Sequence, residues 1–171
     1  MERCLIGVGA NIDPEENIAE GLLLLARRVR ILAVSPFYVT APIGRPEQPD
    51  YLNGVVVVEH GDGPAALRDG ILRPVEAARG RTRTADAYAA RTLDLDVLLY
   101  GDRTGREAGM VLPDPHLWER PFLAAAALAV LPGLAVPGKG RPLRDLADPA
   151  AVALCRRADA FSERLREMFE R

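Results

Sequence analysis

The hydrophobic and polar positions of the first thirty residues predict a strand followed by a helix. Cys4–Gly9 is apolar throughout, as in a strand buried on both faces. Asp13 is expected to cap a helix that begins at Pro14 and ends near Arg30, and Glu16 would complete a capping box. The predicted core face of this helix consists of four residues at helical spacing: Ile18, Leu22, Leu25 and Val29.

The next fifty residues predict two strands and a second helix. Residues 31–39 alternate well enough for a strand, and the proline-rich and glycine-rich residues 40–50 predict a loop after it. Residues 51–59 predict a third strand, and its run of four valines suits a central position in a sheet. A helix is expected over 63–79 with a kink at Pro74, because proline lacks an N–H and clashes with the preceding turn.

A fourth strand, which contains Asp94 and Asp96, precedes a series of weaker patterns. These predict, in order, a short hairpin strand ending near Leu112, a helix over 120–131, a short strand over 134–136, a helical turn over 142–146 and an amphipathic helix over 150–171. The order strand, helix, strand, strand, helix, strand is typical of the ferredoxin-like split βαβ fold. We therefore expect an α+β architecture, with an antiparallel sheet, helices on one face and extra C-terminal helices.

Length and composition indicate one domain. The chain has 171 residues, of which 49% are hydrophobic, so it is long enough for one core and too short for two ordinary domains. We predict a single domain over 1–171, in which residues 149–171 form a C-terminal helical extension.

Charge and cysteine content exclude several classes of protein. The net charge is −2, and all of the 22 basic residues except Lys139 are arginines. They form no long basic block, so we expect no nucleic-acid partner. No apolar run reaches membrane-spanning length and no signal-peptide pattern is present, so we expect no membrane partner. Cys4 and Cys155 lie far apart in sequence without metal or redox spacing, which fits a reducing, cytoplasmic location.

The fourth strand carries the clearest chemical signal. Strand side chains alternate between faces, so Asp94 and Asp96 point the same way, while Leu93, Leu95 and Val97 point into the core. Two adjacent carboxylates repel each other unless a hard cation lies between them. Magnesium usually takes one or two protein carboxylates and completes its shell with water and phosphate oxygens. The alternative is a solvent-facing edge strand without a ligand, and this pattern alone leaves it open.

Neighbouring residues favour phosphate chemistry. The sequence 79–83 and Arg91 together supply four guanidinium groups close to the acid pair, and arginines can neutralise charge on a transferred phosphoryl group. Tyr51 and Asn53 alternate on one strand and so face the same side. Such a pair suits a flat heterocycle, which the ring would stack on while the amide binds its edge.

Two glycine motifs do not predict nucleotide binding. Gly7-Val8-Gly9 resembles the start of a dinucleotide fingerprint, but Ile12 holds the place of the third glycine. Residues 133–140 match a phosphate loop only as far as Lys139, because a glycine follows where Ser or Thr should bind magnesium. We interpret the latter as a turn beside a short strand.

Several motifs together resemble those of the 6-hydroxymethyl-7,8-dihydropterin pyrophosphokinase family. They occur in the family's order over about residues 5–125: Phe37-Tyr38-x-Thr40, Gln48-Pro49-Asp50-Tyr51-Leu52-Asn53, Glu76 with Gly80-Arg81-x-Arg83, and Arg91-Thr92-Leu93-Asp94-Leu95-Asp96 with Tyr100-Gly101. The resemblance implies transfer of pyrophosphate from ATP to the hydroxymethyl oxygen of the pterin, with release of AMP, in folate biosynthesis. It also implies small-molecule partners only, and we expect a monomer.

The resemblance also implies roles for individual residues. Asp94 and Asp96 would hold two Mg²⁺ ions, and Arg81 and Arg91 would steady the transferred group and the leaving AMP. The pterin-binding residues would be Thr40, Pro42, Ile43, Tyr51, Asn53 and Phe122. The residues on the ATP side would be Glu76, Arg83, Tyr88 and Arg120. Asp114 stands where the family has a nucleotide-contacting histidine, and His116 lies two residues away.

Two alternatives stay open at this point. One is a different two-metal nucleotidyl or phosphoryl transferase on the same fold. The other is a ligand-sensing module in which the acids hold a structural ion. The basic loop, defined here as residues 80–90, is expected to be mobile without nucleotide and ordered with it, because its small residues bury little surface.

Overall fold

A computed structural model describes residues 1–169, and its main feature is an antiparallel sheet of six strands. The strands of this sheet are β1 (Glu2–Ala10), β2 (Arg30–Val34), β3 (Tyr38–Thr40), β4 (Tyr51–His60), β5 (Asp94–Tyr100) and β8 (Arg156–Arg157). A separate hairpin consists of β6 (Gly105–Glu107) and β7 (Met110–Leu112). The helices are α1 (Pro14–Ala26), α2 (Pro64–Leu67), α3 (Arg73–Ala78), α4 (His116–Glu119), α5 (Pro121–Val130), α6 (Leu143–Leu146), α7 (Pro149–Ala153) and α8 (Asp159–Phe169).

Strand β4 is central to the sheet, as its valine run predicts. The strand order is β5-β1-β4-β3-β8, and β2 also pairs with β4 beyond the end of β3. Ile6 of β1 lies opposite Val56 of β4 and Val97 of β5, so three apolar strands pair in the middle of the sheet. This topology confirms the ferredoxin-like prediction.

Two hydrophobic cores lie on opposite faces of the sheet. On one face, α1, the helical segment 64–78 and α8 pack against the sheet around Ile6, Leu22 and Tyr100. On the other face, α4, α5 and α6 pack around Leu5 and Val57. The prediction that helices cover only one face is therefore wrong. Helix α5 is apolar on nearly all sides, and its residues 123–127 are buried against the second face.

Helix α1 has the predicted core face but not the predicted ends. Its residues at helical spacing are buried, and it ends at Ala26 because Arg30 already begins β2. The capping box is wrong: Asp13 has φ 39°, in the left-handed region, and its side chain accepts no cap hydrogen bond. Instead, the side chain of Asn17 donates to the carbonyl of Ile12 (2.7 Å).

The predicted strand over 31–39 is two strands, because residues 35–37 leave the sheet between β2 and β3. The predicted helix over 63–79 spans 64–78, and its irregularity precedes Pro74 as a wide turn over 68–72. The N–H of Arg73 reaches back five residues to the carbonyl of Arg68. This wider turn relieves the clash that proline causes in a regular helix.

The C-terminal region differs most from the prediction. The single helix expected over 150–171 is wrong: α7 and α8 are separate, and β8 between them joins the sheet edge beside β3. Residues 170–171 of that prediction lie outside the described residues. The strand expected over 134–136 is only an isolated bridge from Ala135 to Pro142, whereas α6 confirms the helical turn near 142–146. Within 1–169, no helix combines the length and apolarity needed to cross a bilayer.

Candidate active site

Asp94 and Asp96 lie side by side on β5, facing the same cleft. Their alternation partners Leu93, Leu95 and Val97 are buried, which confirms the predicted orientation. Across the pairing with β1, Gly9 lies opposite Asp94 and Gly7 lies opposite Asp96. The two glycines carry no side chain that could fill the space beside the carboxylates. A Cβ at Gly9 would lie 2.4 Å from Oδ1 of Asn53, and one at Gly7 would lie 3.3 Å from Leu98, so both positions favour glycine although their spacing does not form a dinucleotide fingerprint.

Two arginines neutralise Asp94. Nη1 of Arg81 donates to Oδ1 of Asp94 (2.9 Å) and to the carbonyl of Leu93 (2.8 Å). Nη1 of Arg91 donates to Oδ2 of Asp94, and its Nη2 donates to the carbonyl of Ala87 (2.6 Å). The Arg81 side chain is only 10% exposed, so this ion pair is well sheltered from solvent. Both oxygens of Asp94 are thus occupied by guanidinium groups.

Asp96 has the opposite environment. Within residues 1–169, its carboxylate makes no hydrogen bond and no ion pair. Solvent reaches the side chain from the cleft mouth, while the cleft walls enclose its other sides. Desolvation by these walls, followed by the negative charges of Asp94, Glu76 and Asp114, raises the pKa of Asp96 to about 7. The accessible mouth weakens both effects through solvent screening, but both act in the same upward direction.

The unpartnered carboxylate of Asp96 beside Asp94 fits a magnesium ion. No group of three or more His, Cys, Asp or Glu side chains converges anywhere in 1–169, so the protein alone does not form a closed metal cage. Magnesium bound together with a nucleotide does not need one, because phosphate and water oxygens complete its octahedron. A cation between the two aspartates would also offset the repulsion that raises the pKa of Asp96.

An aromatic pocket adjoins Asp94 at the ends of β3 and β4. We use this name for the cavity of about 200 Å³ whose lining includes Thr40, Ile43, Tyr51, Asn53, Tyr88 and Phe122. Nδ2 of Asn53 donates to Oγ1 of Thr40 (2.7 Å), so the amide is held at one orientation. Five of the six residues predicted to bind the pterin line this pocket, and Pro42 does not.

The residues predicted on the ATP side divide into two groups. Tyr88 and Arg120 both line the aromatic pocket, and Arg120 also reaches the cleft over Asp96. Glu76 and Arg83 lie outside the pocket and pair with each other through Oε2 and Nη2 (2.5 Å). The Arg83 side chain is 54% exposed and lines a second cleft with Arg81 and Arg91, within and beside the basic loop.

Glu76 connects the basic loop to β5 from inside the protein. The residue is 1% exposed, and its Oε1 accepts a hydrogen bond from the backbone N–H of Leu95 (2.8 Å). Burial raises the pKa of Glu76, while this hydrogen bond partly opposes the increase. Glu76 thus supports the strand that presents Asp94 and Asp96, and its carboxylate does not face the cleft.

The sequence motifs assigned no role to two polar residues that organise the site, Asn11 and Gln48. The amide of Asn11, which is 2% exposed, donates to Oε1 of Gln48 (3.1 Å) and accepts from the N–H of Arg91 (2.7 Å). Gln48 in turn donates to the carbonyl of Tyr88 (2.9 Å). The signal for Asn11 was its position, as a polar residue that directly follows a buried strand. Gln48 begins one of the quoted motifs.

Asp114 and His116 lie together at the start of α4. Oδ1 of Asp114 accepts from the N–H of His116 (2.9 Å) and lies 3.3 Å from its Nδ1. Nε2 of His116 lies 3.4 Å from Nη2 of Arg120, and both residues line the cleft over Asp96. The histidine imidazole, not Asp114, is thus beside the arginine in this cleft.

Comparison with known proteins shows similarity over most of the chain, including the part that contains Asp94 and Asp96. The family model described as 7,8-dihydro-6-hydroxymethylpterin-pyrophosphokinase (HPPK) matches residues 5–132. A 2-amino-4-hydroxy-6-hydroxymethyldihydropteridine pyrophosphokinase from Pseudomonas aeruginosa is 33% identical over 149 residues, covering 85% of this chain and 90% of the relative. The protein of the same name from Synechocystis sp. is 32% identical over 145 residues, covering 83% and 73%.

A solved structure supports the fold. The crystal structure of wild-type Plasmodium falciparum HPPK-DHPS with SDX-DHP aligns with a TM-score of 0.63 at 12% identity. The alignment covers 100% of this chain and 45% of that chain, so this chain corresponds to less than half of the longer protein. At this identity the similarity concerns the fold alone.

Proposed function

This chain belongs to the 7,8-dihydro-6-hydroxymethylpterin-pyrophosphokinase family, and we propose that the cleft of Asp94 and Asp96, with the adjoining aromatic pocket, is its active site. The enzyme transfers pyrophosphate from ATP to the hydroxymethyl group of 6-hydroxymethyl-7,8-dihydropterin in folate biosynthesis. This family membership decides against the ligand-sensing module and against a different two-metal nucleotidyl or phosphoryl transferase.

The observation that carries the site assignment is the pairing of two unlike carboxylates on one strand face. Each carboxylate oxygen of Asp94 accepts a hydrogen bond from one arginine, Arg81 or Arg91, whereas Asp96 has no partner among the described residues. We propose that Asp94 and Asp96 hold two Mg²⁺ ions together with the phosphates of ATP. Bound there, magnesium would compensate phosphate charge and polarise the phosphorus under attack.

Arg81 and Arg91 would bind the phosphate groups from the side of the basic loop. Each guanidinium already bonds to a carboxylate oxygen of Asp94, and phosphate oxygens offer acceptors of the same geometry. Arg83 extends this row of positive charge along the second cleft, held from below by Glu76. We place the ATP phosphates between this row and β5, with Arg120 and His116 on the opposite wall.

The aromatic pocket would bind the pterin beside Asp94. Tyr51 and Phe122 supply ring surfaces for a flat heterocycle, and Asn53 presents an amide that can bond to its edge. Thr40 keeps this amide oriented, while Ile43 and Tyr88 line the pocket from two loops. Holding the hydroxymethyl oxygen near the phosphates would supply much of the rate increase, because positioning replaces an encounter in solution.

The direct test is an assay of AMP formation from ATP, magnesium and the hydroxymethyl pterin. We expect AMP to appear with the wild type and to be lost with Asp96→Ala. A protein in which Asp96→Ala releases AMP at the wild-type rate would contradict the metal assignment. Release of pyrophosphate instead of AMP would indicate nucleotidyl transfer, and binding without any consumption of ATP would indicate a sensor.

We also propose that the enzyme works as a cytoplasmic monomer on small molecules alone. Residues of this one chain line both clefts and the aromatic pocket, so the proposed site does not require a second copy. In this proposal 1–171 is one pyrophosphokinase domain that includes the 149–171 extension. Light scattering at working concentrations tests the monomer, and a mass of twice 18.5 kDa would contradict it.

A further inference from the structure

We propose that the C-terminal segment, residues 149–169, is a positioning element for the pterin pocket, and that Ser162 is its central positioning residue. This segment lies outside the residues that the family model matches, which end at 132. The inference rests on the proposed function, because it takes the aromatic pocket as the site of the pterin.

The C-terminal segment forms hydrogen bonds with both main-chain polar groups of Phe37. Residues 35–37 leave the sheet between β2 and β3, so Phe37 lies outside the strand pairing. Its N–H donates to Oγ of Ser162 (2.8 Å), and its carbonyl accepts from the N–H of Ala158 (2.8 Å). The Ser162 hydroxyl also donates to the carbonyl of Ala158 (2.7 Å), so one buried hydroxyl connects both contacts.

The side chain of Phe37 is held by the same segment. Its ring is fully buried and meets the ring of Phe161 edge-on, with centroids 5.5 Å apart. On its other side the ring lies against Gly54, where an added Cβ would be 2.8 Å from the ring. Gly54 directly follows Asn53, so the contact reaches the strand residue beside the proposed pterin amide.

Strand β8 extends this contact towards the pocket. Arg157 pairs with Tyr38 and Arg156 pairs with Val39, so the segment also covers the outer edge of β3. The next residue of β3 is Thr40, whose hydroxyl orients Asn53. The side chain of Arg156 lies 3.8 Å from Asp50, next to Tyr51. The segment therefore holds the chain from Phe37 to Val39, which directly precedes Thr40 of the pocket.

The physical consequence is a specific effect on one substrate. Removal of the Ser162 hydroxyl leaves the buried N–H of Phe37 without its acceptor, a substantial penalty that the chain can relieve by moving β3 outward. Such a movement separates Thr40 from Asn53 and frees the amide to rotate. It leaves the ATP side intact, because Arg81, Arg91 and Asp94 are held by contacts within β5 and the residues before it.

The test compares Ser162→Ala with the wild type in the AMP assay, with pterin and ATP varied separately. We expect the KM for the pterin to rise roughly fivefold or more, with the KM for ATP unchanged, since the loss corresponds to one buried hydrogen bond. Ser162→Thr should restore the wild-type KM, because it keeps the hydroxyl. Glu167→Ala is the matched control, an exposed residue of the same helix away from β3.

Amide exchange gives a second measurement that does not depend on turnover. The N–H of Phe37 should lose protection in Ser162→Ala and keep it in Ser162→Thr. If Ser162→Ala does not fold, Phe161→Leu serves instead, since it retains an apolar side chain but loses the ring contact with Phe37. It should raise the pterin KM in the same selective way.

Two outcomes overturn the proposal. One is an unchanged pterin KM in a folded Ser162→Ala protein, and the other is an equal rise of the KM values for pterin and ATP. Asn53→Ala separates this failure from failure of the pocket assignment. If Asn53→Ala also leaves the pterin KM unchanged, the pterin does not bind in the aromatic pocket. If Asn53→Ala raises the pterin KM and Ser162→Ala does not, the pterin binds in the aromatic pocket but the C-terminal segment does not position that pocket.

Discussion

Replacement of Asp96 by asparagine should make the protein more stable and inactive at the same time. Asp96 is a carboxylate without a hydrogen-bonding partner in 1–169, and it lies near the charges of Asp94, Glu76 and Asp114. Asparagine keeps the size of the side chain and removes the charge. The change therefore relieves repulsion in the protein alone, while it removes a proposed magnesium ligand.

The magnitude follows from the raised pKa. An increase in the pKa of Asp96 from an ordinary 3.8 to about 7 corresponds to about 4 kcal/mol at full effect. Because the side chain is exposed, screening by solvent reduces this to about 1 kcal/mol. Between these pH values the native state binds more protons than the unfolded state, so wild-type stability falls as pH rises through the window. The advantage of the asparagine variant should be smaller at pH 5 than at pH 8.

Urea unfolding with a chelator present measures this effect, and Asp94→Asn is the matched control. Asp94 accepts hydrogen bonds from Arg81 and Arg91, and its negative charge attracts both guanidinium groups. Its replacement should lower the free energy of unfolding by about 1–3 kcal/mol, because charged hydrogen bonds are lost. Added magnesium should stabilise the wild type more than Asp96→Asn through preferential binding to the native state. An Asp96→Asn protein that is less stable than the wild type at pH 8 would refute the reasoning.

Three further predictions concern the strand support, the pocket and the loop. Glu76→Ala should lower the free energy of unfolding by about 2–3 kcal/mol in urea, and Glu76→Gln should lose less because it keeps an acceptor for the strand N–H. Equal losses would contradict this. Gly9→Ala should raise the pterin KM, because its Cβ would lie 2.4 Å from Oδ1 of Asn53, whereas Gly133→Ala meets no atom within 4 Å and should not. Amide exchange in the basic loop, residues 80–90, should slow when nucleotide and magnesium bind, and equal protection in both states would count against loop closure.

The central sheet was predictable from sequence because its signals are local and strong. The unbroken valine run of β4 is typical of a strand buried on both faces, the alternation around Asp94 matches a period of two, and burial follows both patterns. The break between β2 and β3 was less visible. Ser35-Pro36 is a turn signal, but it lies inside an otherwise apolar run, and that run as a whole predicts one continuous strand over 31–39.

Other features depend on contacts between residues far apart in sequence. Strand β8 has only two residues, both arginines, so no periodicity could show it, and it exists because β3 offers a free edge. The capping box at Asp13 failed for a different reason. The local pattern was correct, but Asn11 and Ile12 bond to the carbonyl of Arg91, and the chain enters the helix from that position.

In the candidate site, too, local motifs were predictable from sequence, whereas contacts between distant residues were not. The residues around Asp94 and those predicted to bind the pterin come from sequence motifs, and five of the six predicted pterin residues lie together. Their partners were not all predictable. Glu76 turns inward to the N–H of Leu95 because of the way the 64–78 helical segment packs on the sheet. Tyr88 lines the aromatic pocket because of the way the basic loop packs there.

The main chain of Arg91 has a consequence for how loop movement can be observed. Its N–H bonds to the side chain of Asn11, and its carbonyl accepts from the N–H groups of Asn11 (3.0 Å) and Ile12 (3.2 Å). One end of the basic loop is thus tethered to the end of β1. A fluorescent or spin label at Ala85 should change its distance from a second label on β4 when the loop moves. The same label at Ala90, one residue from the tether, should report almost no displacement.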